Sequence, residues 1–188
     1  MGASGVVLVG FFLFSILRTD AESLLDARTL DNAQIKMIAT ELLVHEKAEL
    51  RERAATRLAK AGPAAVPVLK DVSLSANDPK LLGAVMTVLV GIDREAAVAV
   101  LQTRMNSPDT EIRRTAVSCA AQCDHPTAID ILAKALRDQD PGVRLRATNG
   151  LRTQGTPASI QALQGALEDP DPKVQRHARR GLGSTGGR

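Results

Sequence analysis

Apolar side chains recur along this chain with two superposed rhythms. The shorter is a three- and four-residue spacing sustained over stretches of roughly a dozen residues, the mark of an amphipathic helix. The longer is 31 residues. Leu50, Leu81, Ile112, Val143 and Val174 stand one such period apart, and four residues after each come Ala54, Val85, Ala116, Ala147 and Ala178. Leu43, Leu74, Met105, Leu136 and Leu167 form another series at this spacing, and Asp78, Asp109, Asp140 and Asp171 a third. A fixed period of this size predicts a stacked array of one small unit, each copy burying its apolar side only against its neighbours.

Polar punctuation places the helix ends. In Asp140-Pro141-Gly142-Val143-Arg144 the Asp side chain is predicted to accept the free amides of a first turn, and Pro stands where no amide is needed. Asp78-Pro79 and Asp171-Pro172 repeat the signal, while Gly62-Pro63, Pro126 and Thr156-Pro157 mark a second helix opening in mid-unit. Four units of two helices each are therefore expected over 47–77, 78–108, 109–139 and 140–170. A half unit over 31–44 precedes them, a capping helix over 171–182 follows, and 183–188 reads as a disordered tail.

The recurring order Asp-Pro, then Val-Arg, then Ala four residues after the Val resembles HEAT repeats, and more narrowly the short bacterial type also found in phycobilin lyases. The resemblance covers 31–182 and implies an all-α fold, a right-handed α-solenoid of helical hairpins. It also implies that second helices line an inner, concave surface. On that ridge Asp71, Gln102, Lys134, Arg137 and Gln164 are candidate partner contacts.

The second unit departs from the pattern. Leu82 stands where Arg is usual, and 81–92 is apolar on nearly every side, so something must cover it. Either the N-terminal segment folds over this run, or Leu82, Met86 and Val90 form an exposed patch for a partner or a bilayer surface.

Composition narrows the chemistry. Hydrophobic residues make up 44%, yet there is no Trp or Tyr, and all three Phe fall within the first fifteen positions, so the repeat core is aliphatic. A net charge of +3 is too small to imply a polyanion partner by itself, and nucleic acid is not the expected partner. First-helix arginines are expected on a solvated face, with Asp109–Arg113 and Asp140–Arg144 as one-turn ion pairs. From Lys173 onward, however, there are five Lys and Arg residues and no acid, which keeps open binding of nucleic acid or anionic lipid at that end.

The first 17 residues carry no charged side chain, and the stretch is predicted to be a hydrophobic helix. Residues 1–18 are expected to be a membrane anchor, with 19–30 as a linker. Arg18, Arg28 and Lys36 all lie on one side, placing the repeat body of a single-pass protein in the cytoplasm. Signal cleavage, giving a secreted or periplasmic protein, is the competing expectation.

No cofactor, metal or catalytic set is expected. Cys119, Cys123 and His125, with Asp124, lie close together but fall short of four converging zinc ligands. His45-Glu46 resembles one half of the paired motifs of HEAT-repeat di-iron hydroxylases, but neither His125 nor His177 is followed by Glu. The expected function is thus a non-enzymatic, membrane-tethered scaffold or assembly subunit that binds another protein. A bilin lyase-like role, implied by the resemblance alone, is the alternative.

Overall fold

A computed structural model of the protein describes residues 23–183. Every regular element among them is helical. After a helical stretch at 23–26, these are in chain order α1 (Asn32–Met37, running on through a π turn, Ile38–Leu42), α2 (Ala48–Ala61) and α3 (Val66–Ser75, entered by a 3-10 turn, Gly62–Ala65). There follow α4 (Pro79–Ile92), α5 (Arg94–Arg104), α6 (Thr110–Gln122), α7 (Pro126–Ala135), α8 (Pro141–Gln154), α9 (Pro157–Gln164) and α10 (Pro172–Gly183).

Helix starts follow the acid-proline signals. Asp78, Asp109 and Asp140 accept the backbone amides of Lys80, Glu111 and Val143 at 2.8–3.0 Å, and Asp31 closes a reciprocal capping box with Gln34. Each such cap contributes about 1 kcal/mol. The second unit opens its second helix differently: Asp93 alone separates α4 from α5 and accepts the Ala96 amide at 2.9 Å. Gly155 ends α8 with φ at 60°, the left-handed turn that glycine adopts without strain.

Four hairpins result, α2–α3, α4–α5, α6–α7 and α8–α9, with α1 before and α10 after. First helices α2, α4, α6, α8 and α10 pack in sequence as one layer, and α3, α5, α7 and α9 as a second. Leu58, Leu69, Leu89, Leu101, Ile112, Leu132, Leu151 and Leu163 are fully buried between the layers. Gly150 allows a close approach of helices, since a Cβ there would stand 2.8 Å from Ala121 Cβ and 3.1 Å from a Leu132 methyl.

Three expectations need revision. Helix α4 is an inner member of the stack, flanked by α2, α3, α5 and α6, which cover its apolar sides. Leu82 and Met86 are fully buried and Val90 half-buried, so this run is covered from within the array and is not an exposed partner patch. Part of the expected linker is pinned: Leu25 is buried, Asp26 pairs with Arg53 at 3.3 Å, and Arg57 donates to the Ala27 carbonyl at 2.6 Å. Finally, among the described residues no helix is long and apolar enough to cross a membrane. The longest described helices run 14 residues against the about 20 that a bilayer needs, and on that finding the single-pass membrane assignment is corrected. Residues 1–18 and 184–188, to which the anchor or signal and most of the tail were assigned, lie outside the described residues.

Candidate functional site

The arginines of the first helices divide by what holds them. Arg113 and Arg144 do not form one-turn pairs with Asp109 and Asp140, which are occupied as caps. Arg113 is buried and Arg144 half-buried, and each reaches across its hairpin. Arg113 meets Asp138 in a two-point fork at 2.8 and 3.0 Å and donates to the carbonyls of Ser107 and Pro108. One period later Arg144 forks onto Asp169 at 2.7 and 3.1 Å and donates to the carbonyls of Asp138 and Gln139. Asp138 and Asp169 also accept the backbone amides two residues on, Asp140 and Asp171. Burial alone would raise both carboxyls, but the guanidinium forks outweigh it and hold them below the usual range. This ladder occupies those charges structurally and fixes the loops that follow α7 and α9.

The fixed second-helix layer carries a groove of about 440 Å³ between α5 and α7. Gln102 of α5, with Met105 and Asn106 just past its end, forms one side, and three-four spacing brings Asp130, Ile131, Lys134 and Ala135 to the facing side of α7. Arg137 and Asp138 close the end. Ile131 and Ala135 are almost wholly buried and Met105 half-buried, giving an aliphatic floor. Gln102, Asn106, Asp130, Lys134 and Arg137 are exposed around it. Asp138 is already matched to Arg113, so the charges the groove offers are Asp130, Lys134 and Arg137.

Of the residues singled out in the sequence, Gln102, Lys134 and Arg137 thus converge on one groove. Asp71 on α3 and Gln164 at the end of α9 are exposed on the same layer but do not line it. Met105, Asn106, Ile131 and Asp138 escaped sequence reasoning as groove residues. The 31-residue step from Asp138 to Asp169, each six positions before an Arg or Gln, was the signal that marked the ladder.

The cysteine cluster has a different role. Burial pushes the Cys119 thiol up to about 11, with Cys123 adding to it, and burial also raises Cys123. Both therefore stay protonated near neutrality. His125 accepts the Thr127 amide through Nδ1 at 3.2 Å and sets Nε2 2.7 Å from Glu95, capping α7. His45 likewise accepts the Lys47 amide at 3.1 Å. Among the described residues no three His, Cys, Asp or Glu side chains are grouped to hold a metal.

Two layers of hairpins stacked at a 31-residue period define a helical-repeat solenoid. A family profile described as HEAT repeats matches residues 66–148 and 98–183, more than half of the chain, and the protein belongs to that family. No curated protein matches it. Among solved structures it is similar to the complex of CpcE and CpcF of phycocyanin lyase from Nostoc sp. PCC7120, at 18% identity and a TM-score of 0.59, covering 80% of this chain and 99% of that one. Human deoxyhypusine hydroxylase in complex with glycerol is similar at 21% identity and a TM-score of 0.56, over 84% of this chain and 62% of that one. At these identities the likeness is one of fold.

Proposed function

We propose that the protein is a non-enzymatic scaffold, an accessory or assembly subunit that receives a segment of another protein in the groove between α5 and α7. The observation that carries this reading is the convergence of Gln102, Lys134 and Arg137 around the aliphatic floor of Met105, Ile131 and Ala135. Amide donors and acceptors suit a peptide backbone, and charges at a rim select partners more than they add affinity. The likeness to a lyase whose two named components form a complex with one another is consistent with a protein partner. The test is affinity capture with the full-length chain, followed by the same capture with Lys134→Glu/Arg137→Glu. The double variant should melt at an unchanged temperature and lose the captured protein about tenfold or more. Equal recovery by both chains would remove the groove from consideration.

A second reading, a lyase-like protein that holds a tetrapyrrole, is supported by the same likeness and by a groove volume within the range that accommodates small ligands. Incubation with a bilin should then give a shifted visible band that Lys134→Glu abolishes. A spectrum identical to free pigment excludes it.

A further inference from the structure

A second surface gathers five cations that no carboxylate among the described residues pairs. Arg152 on α8 and Lys173, Arg176, Arg179 and Arg180 on α10 are all exposed. The ion pairs among the described residues engage Arg53, Arg113, Arg114, His125 and Arg144, and none of these five. The five lie together. A Cβ on Gly181 would stand 3.2 Å from the Arg152 side chain, which sets Arg152 against α10 beside Arg180. On α10 itself Lys173, Arg176 and Arg180 follow three- and four-residue steps and so form one stripe. Beneath it His177 holds Nδ1 2.7 Å from the Asn149 side-chain oxygen.

We propose that this face of α8 and α10 docks an acidic helical segment of a partner protein, at a site separate from the groove. The register within the array favours carboxylates. Arg176 stands two periods after Arg114, and Arg114 is gripped by Asp140 at two points, 3.0 Å each, with Glu111 as a third contact. The same fork on Arg176 meets no acid among the described residues, so an incoming carboxylate takes the place that Asp140 takes on Arg114 two periods back. An acidic helix with Glu or Asp at three- and four-residue steps matches the stripe of Lys173, Arg176 and Arg180 charge for charge. Single-stranded nucleic acid is disfavoured because the chain has no Trp or Tyr, and its three Phe are confined to positions 11, 12 and 14.

The proposal is tested with the full-length protein and a synthetic helical peptide carrying Glu at positions i, i+3 and i+7, with a Lys-substituted twin as control. The Glu peptide should bind at 50 mM salt and weaken as salt rises. Arg176→Glu/Arg180→Glu should lose it about tenfold or more and bind the Lys peptide instead, while Lys134→Glu/Arg137→Glu should bind the Glu peptide unchanged. A readout independent of affinity is the NMR titration of His177. Burial first, and then Arg180, Arg152 and Arg176, hold its proton affinity below the ordinary value. Carboxylates brought against those guanidiniums offset their repulsion, so saturating peptide should move the His177 titration upward. Equal binding of the two peptides, an unmoved His177 titration at saturation, or tighter binding to a 20-base-pair DNA duplex or phosphatidylserine vesicles would each overturn the proposal.

Discussion

At the scale of single residues, Arg113 and Asp138 show how much a position's neighbours decide. Their side chains are only 6% and 9% exposed, and each satisfies the other at two points. Removing one partner strands a buried charge, so Arg113→Ala should cost about 3–5 kcal/mol in urea unfolding, and Arg113→Met/Asp138→Leu distinctly less. The same contacts set an acid limit. Asp138, Asp140 and Asp169 all titrate below their unfolded value of about 4. The stabilisation they supply is complete above that pH and is lost as pH falls through their lower folded values. Melting temperature should therefore drop steeply below about pH 4, and Asp169→Asn should flatten the drop as well as lower the plateau. The charged pattern was legible in the sequence as a run of first-helix arginines, but not its pairing. A helical wheel offers only partners one turn away, whereas Arg113 and Arg144 reach 25 residues ahead.

At the scale of the helix, α4 explains why the second unit breaks the rule without weakening the stack. Leu82 stands where Arg113 and Arg144 stand, and of the two loop carbonyls an arginine there would hold by register, those of Ala76 and Asn77, the first is taken by Arg104 from the end of α5. It donates to Leu74 at 2.8 Å and to Ala76. Arginine at 82 would compete for the same carbonyl and meet Ser107 where its successors meet Asp138 and Asp169. Leu82→Arg should thus destabilise markedly, and Leu82→Arg/Arg104→Met should recover part of the loss. Gly150→Ala should cost about 1–3 kcal/mol by overpacking, despite alanine's better helix propensity. Helix positions and caps were legible because Asp-Pro and three-four spacing are local signals. The apolar surplus of α4 was equally visible, but its meaning depended on knowing that four helices surround it.

For the whole molecule, stability is a sum over neighbouring hairpins. Leu58→Ala in α2 should accelerate amide hydrogen exchange in α2 to α4 and leave α8 and α9 unchanged, in contrast to a protein with one shared core. The solenoid itself was legible, since a 31-residue repetition leaves few other ways to bury aliphatic faces. The groove was legible only in part: Gln102, Lys134 and Arg137 follow from second-helix position, but the facing of α5 and α7 that joins them is a property of the stack.

Arg104 has a mechanical consequence. From α6 onward, guanidinium-carboxylate forks reach forward from first helices and latch the stack. Between α3 and α4 the latch points backward from a second helix and closes on neutral oxygens alone. Amide hydrogens in the loop between α3 and α4 should therefore exchange faster than those in the loops after α7 and α9, which the forks hold.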